Sequence, residues 1–150
     1  MICHRVLVLT FYVCALAAAV GGQRLEASQA ADGSAAIRER LNKVAANLFS
    51  GSGHVDDAIK EIKAILAVDP AVAEGHLLLG MAYRMQGSGD LTGEAKAEFV
   101  QALTLKPDLV PARMYLAQLY LDLGRAGSAA ETLNAGLAAE PGRPELLALL

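Results

Sequence analysis

From Ala35 onward, apolar residues recur at three- and four-residue steps, the spacing that gathers side chains on one face of an α-helix. Turn-forming clusters interrupt this pattern at Gly51-Ser52-Gly53, Asp69-Pro70, Gly87-Ser88-Gly89-Asp90, Lys106-Pro107, Gly124 and Pro141. The pattern therefore predicts helices of about 12–16 residues joined by short turns. A proline ends a helix because it lacks an N–H and disfavours helical geometry at the residue before it. Ala and Leu dominate and Trp is absent, which favours helix over strand, so the expected class is all-α.

The first residues follow a different pattern. Arg5 precedes an uncharged apolar run from Val6 to Val20, which ends in Gly21 and Gly22. Charge, apolar run and small residues in that order are expected of an export signal over residues 1–22, cleaved near Ala19 to Gly22. The run is shorter than the roughly 20 residues a membrane span needs, so membrane attachment is expected only if the signal stays uncleaved. The bulky Phe11-Tyr12-Val13 before Cys14 does not suit lipid attachment. Residues 23–34 carry few apolar side chains and read as a flexible linker, with Ser34 placed to cap the next helix. The expected location is periplasmic or secreted. Cys3 and Cys14 both fall inside the signal, so the mature chain would hold no disulfide and no thiolate metal site.

The region from Ala35 repeats itself. Ala58, Ile62, Ile65 and Pro70 recur as Ala95, Phe99, Ala102 and Pro107, and as Ala129, Leu133, Gly136 and Pro141, at offsets of 4, 7 and 12 each time. Leu79, Gly80 and Tyr83 correspond to Leu116, Ala117 and Tyr120. Small residues at Gly80, Ala95, Ala102, Ala117 and Ala129 let helices approach closely, while the large ones fill the space between them. This pattern resembles the tetratricopeptide repeat over residues 35–150, in units of about 35–70, 73–107 and 110–141 with a partial helix at 143–150. The resemblance implies a right-handed α-solenoid of antiparallel helix pairs. The first unit diverges, with Ala45, Ala46 and Phe49 at the Leu, Gly and Tyr positions, and the second has three extra residues, placed in the turn Gln86 to Glu94.

In that family the first helices line a concave groove that binds peptides or proteins. The resemblance carries groove positions onto Arg40, Lys43 and Asn47, then Leu77, Met81, Arg84 and Met85, then Met114, Gln118, Leu121 and Asp122. Leu77, Met81 and Met85, four residues apart, would form one apolar stripe with Met114, and unbranched methionine suits varied apolar partners. Arg84 and Lys43 would orient the ligand. Lys43 and Asn47 match the first pair of the family's carboxylate clamp, but Leu78, Pro111 and Tyr115 stand where an amide and two basic residues are needed, so no clamp is expected.

Charge and chemistry narrow the reading further. A net charge of −3, with both signs interspersed, offers no basic face for nucleic acid. The glycines at 87, 89 and 93 lack phosphate-loop spacing, His54 and His76 share no metal-ligand pattern, and Asp56 and Asp57 sit where a helix N-terminus favours negative charge. No catalytic residue, cofactor or metal is expected. The sequence thus reads as an exported binding scaffold for a protein or peptide. Two alternatives accompany it: the repeat segment of a longer enzyme, and a structural homo-oligomer that self-associates through its apolar C-terminal helix.

Overall fold

The computed structural model describes residues 33–50, 55–87, 91–139 and 144–148, which belong to two compact units, 1–40 and 41–150. The expected export signal and nearly all of the expected linker lie outside the described residues. In the first unit, residues 33–40 are helical, so Gly33 and Ser34 lie inside a helix and not in the linker or at a cap. Nothing packs within 4 Å of the Cβ position at Gly33. An exposed turn can therefore extend the helix by one hydrogen bond per residue.

The second unit is a right-handed α-solenoid, all-α among its described residues. It opens with residues 41–49 (α1) and continues with α2 (Val55–Val68), α3 (Ala73–Gln86), α4 (Leu91–Leu105), α5 (Val110–Asp122), α6 (Ala126–Ala139) and α7 (Pro144–Leu147). Each helix from α2 to α7 packs on the next, and α5 also packs on α3 and α7. Among the described residues no helix is long and apolar enough to cross a membrane.

Buried positions follow the repeat register. In α1 they are Leu41, Val44 and Leu48, and in α2 they are Ala58, Ile59, Ile62 and Ile65. In α3 burial spreads over most of the circumference, because that helix packs against α2, α4 and α5. Its closest approach is at Gly80, where an added Cβ would lie 2.7 and 2.8 Å from the Phe99 ring and 3.1 Å from the Ala95 carbonyl. Phe99 is fully buried and stacks on Tyr115 of α5, centroids 5.9 Å apart and planes at 14°. One ring thereby joins both helices of a pair to the first helix of the next.

Turns close the helices in distinct ways. Gly87 and Gly124 adopt φ of 70° and 69°, which glycine reaches without Cβ strain. At Gly124 the Gly124 N–H donates to the Leu121 carbonyl (2.9 Å) and the Arg125 N–H to the Tyr120 carbonyl (2.8 Å), capping the end of α5. Between α2 and α3, His76 Nδ1 lies 2.6 Å from Glu98 Oε2 and Nε2 lies 3.1 Å from the Pro70 carbonyl. His76 therefore ties α3 to both α4 and the preceding turn, a structural role. At the C-terminal end, Leu146 of α7 is buried with Ala117, Ala129 and Leu133. Leu146 is thereby packed inside its own chain, in the space that the small Ala117 and Ala129 leave.

Gly80→Ala is expected to lower stability by about 1–3 kcal/mol, because the new methyl meets a ring and a backbone carbonyl that cannot both withdraw. Gly124→Ala, with open space around it but a positive φ, is expected to cost about 1 kcal/mol. Urea unfolding followed by helical circular dichroism would test both, and a Gly80→Ala chain as stable as the parent would contradict the tight α3–α4 approach.

Candidate functional site

The first helices of the second unit place five side chains around one pocket of about 270 Å³: Phe49 from α1, Met81, Arg84 and Met85 from α3, and Tyr115 from α5. Phe49 is 59% exposed and Met85 48%, so two large apolar side chains meet solvent at one concavity. The exposure of Phe49 has a structural origin. At the equivalent repeat position, Tyr83 lies under Lys63 of α2 (5.4 Å to the ring centroid) and Tyr120 under Lys96 of α4 (5.5 Å). Each lysine comes from the second helix of the preceding pair. Within the second unit α1 has no preceding helix, so Phe49 stays uncovered. Hydrogen bonding to Tyr83, then the charge of that same group, holds Lys63 above the ordinary lysine range.

The groove residues expected from sequence separate into three groups. Met85 lines the pocket, exposed, as expected. Met81 also lines it but is only 7% exposed, so it is a wall of the site and part of the core, not a free anchor. Its neighbours on α3, Gly80 and Ala82, are buried as well. Leu77 and Met114 do not line this pocket. Leu77 is half-buried against Ala73, Ala102, Leu109 and Ala112, and Met114 against Ala117, Ala129, Leu133 and Leu146. They hold the same repeat position and perform the same task, filling the junction between one helix pair and the next element. Lys43 and Asn47 are exposed on α1, Gln118 is half-buried, and Leu121 is exposed at 38%.

Arg84 does not stand free as an orienting charge. Its guanidinium donates to Asp122 Oδ2 at 2.8 Å, and Gln118 Nε2 donates to Asp122 Oδ1 at 3.2 Å, so Asp122 is engaged at both oxygens. This arrangement binds α3 to α5 at the rim of the pocket. Lys43 makes no ion pair among the described residues. No group of residues suited to hold a metal ion occurs among those described.

Sequence reasoning missed Phe49 and Tyr115. Phe49 was read as a divergent packing residue and Tyr115 as the wrong residue for a clamp. The available signal was that both carry rings at first-helix positions, but covering or exposing a ring is decided by its neighbours.

Two tetratricopeptide repeat profiles match the chain, one over residues 43–109 and one over residues 91–150. Among curated proteins nothing matches the sequence. Solved structures with the same fold include MamA, 23% identical with a TM-score of 0.62, where 73% of this chain covers 61% of that one. The type III secretion translocator chaperone SycD of Yersinia enterocolitica is 18% identical with a TM-score of 0.62, 75% of this chain covering 83% of that one. The second repeat domain of human RPAP3 is 22% identical with a TM-score of 0.62, 79% of this chain covering 92% of that one. The chain thus spans about three fifths of MamA.

Burial separates the two methionines of the pocket experimentally. Met85→Glu is expected to change stability by less than about 0.5 kcal/mol, whereas Met81→Glu forces a carboxylate among apolar neighbours and is expected to cost about 3 kcal/mol. Urea midpoints of the two single variants would measure this, and equal midpoints would show that Met81 is not part of the core.

Proposed function

Because the chain belongs to the tetratricopeptide repeat family, we propose that it is an interaction scaffold that captures a segment of another protein on the face formed by α1, α3 and α5, without catalytic chemistry of its own. The observation that carries this reading is the pocket itself, where two rings and two thioethers from three different helices meet with Phe49 and Met85 open to solvent. Exposed apolar side chains converging on a concavity lower the free energy when covered, at about 25 cal/mol per Å² of apolar area removed from water. Proteins of the same fold have been solved with peptides, SycD with a peptide of the translocator YopD and RPAP3 with an HSP70 peptide. That likeness supports a peptide-binding role here.

Export to the periplasm or beyond is the companion proposal. Arg5 and the uncharged run Val6 to Val20 support it. A second reading, a repeat segment joined to a catalytic domain elsewhere in a longer chain, is favoured by one comparison: 73% of this chain matches 20% of an O-GlcNAc transferase from Thermobaculum terrenum.

Capture from native envelope extract, with the chain as bait beside a Phe49→Asp, Met85→Glu variant, tests the binding reading. The parent is expected to retain a protein that the variant loses at unchanged helicity, and equal retention by both would place binding elsewhere. Export is checked by intact mass after cell fractionation: a product lacking about the first 22 residues outside the cytoplasm is expected. A full-length product confined to the cytosol would refute it.

A further inference from the structure

His76 of α3 and Arg113 of α5 hold the same place in successive repeats. Each stands six residues after the proline that follows the preceding pair, and each reaches back to that proline's carbonyl. His76 Nε2 lies 3.1 Å from the Pro70 oxygen, and Arg113 donates to the Pro107 oxygen at 2.7 Å. The forward contacts correspond too. His76 Nδ1 lies 2.6 Å from Glu98 Oε2, and Arg113 donates to the Thr132 carbonyl at 3.3 Å. Glu98 and Thr132 both stand nine residues before the next proline. Twice, then, one position ties a first helix to the turn before it and to its own partner helix.

The chemistry of the two ties differs. Arginine keeps its charge and its five N–H donors at any ordinary pH, so both of its carbonyls are met. A neutral imidazole has one N–H and one lone pair. Both groups at His76 are acceptors, a carboxylate and a carbonyl, so a neutral ring beside an ionised Glu98 leaves one nitrogen lone pair against an oxygen. A second ring proton satisfies both. The two side chains are 14% and 23% exposed, which restricts replacement of a lost bond by water.

The other charges on the elements around α3 have partners of their own. On α2, Asp56 meets Gln86, Asp57 meets Lys60, and Lys63 lies over Tyr83 and interacts by charge with Glu94 and Glu98 of α4. In the turn, Asp69 accepts the Ala71 N–H, and Glu74 of α3 pairs with Lys106 beyond α4. Lys96 of α4 lies over Tyr120, and on α5 Asp122 pairs with Arg84.

We propose that His76 and Glu98 form a pH-sensitive clip: the doubly protonated imidazole holds α3 to α4 and to the turn after α2, and its deprotonation releases one of the two ties. The gripped turn separates α1 and α2, where Phe49 stands, from α3, which carries Met81, Arg84 and Met85. Acid therefore tightens, and alkali loosens, a joint across which the pocket is assembled. Arg113 makes the next joint indifferent to pH.

The sign follows from linkage. Only the folded chain offers the ring two fixed acceptors, so folding favours the bound proton, and stability falls as pH rises through the range in which histidine changes charge, about pH 5–8. Urea unfolding of the full chain at about pH 5.5 and about pH 8 tests this beside Glu98→Gln. The glutamine amide can donate to a neutral ring or accept from a charged one, so it keeps both ties in either state. The parent's unfolding constant is expected to rise about ten-fold more than the variant's between the two pH values. His4 and His54 are common to both chains and cancel in the difference. Equal pH dependence, or a parent that gains on the variant as pH rises, overturns the clip. Should the variant not fold, ring 15N NMR of the parent decides. His76 is expected to keep both ring protons at a pH where the urea-unfolded chain has lost one, and loss at the same pH in both states overturns the proposal.

Discussion

The Phe99 ring can sit where it does only because position 80 carries no side chain. With Gly80 facing it, α4 approaches α3 closely enough to bury the ring completely, and the far face of the ring then stacks on Tyr115 of α5. The consequence reaches the functional face. Tyr115 is held at a fixed angle by the stack and forms one wall of the pocket, while Met81, one residue after Gly80, forms another. A contact inside the helix pair thereby sets the shape of a cavity on its outside. Aromatic pairs of this geometry contribute about 0.5–1.5 kcal/mol beyond the area they bury, and the fully buried ring contributes several times that through burial alone.

Polar ties decorate this apolar frame but do not set it. Lys106 with Glu74, Arg84 with Asp122 and Lys60 with Asp57 are all substantially exposed, and pairs of that kind are typically worth less than about 1 kcal/mol. Their value lies in position. The Arg84–Asp122 pair spans adjacent first helices at the rim of the pocket and leaves each charge with a partner inside the chain. His76 is the more consequential polar residue, because its two ring nitrogens face groups on different elements and its side chain is largely shielded from water.

Repetition explains why equivalent positions differ in use. Tyr83 and Tyr120 are each roofed by a lysine from the helix before them, and Leu77 and Met114 each fill the junction after their own pair. Phe49 occupies the tyrosine position without a roof in its unit. The position that is roofed in the middle of the unit stands open to solvent at its first helix. This is the expected behaviour of a nearly one-dimensional architecture, in which each repeat contacts only the adjacent ones.

Helix positions, their termination at Pro70, Pro107 and Pro141, and the alternation of small and large residues at Gly80, Phe99 and Leu133 were legible in the sequence, because each rests on local sterics and on a period of 3.6. So was the binding character of the fold and the exposure of Met85. The identity of the pocket walls was not. Met81, Leu77 and Met114 look equally available along a helical stripe, and only the packing of the neighbouring helices decided that Met81 becomes a buried wall of the pocket while Leu77 and Met114 are half-buried against the core clusters beside them. Phe49 and Tyr115 carried no motif of their own; their rings entered the site through the absence of a covering lysine in one case and the presence of a stacking partner in the other. Spacing along a chain determines which residues share a face. What shields that face comes from helices distant in sequence, so the tertiary structure alone could choose the site.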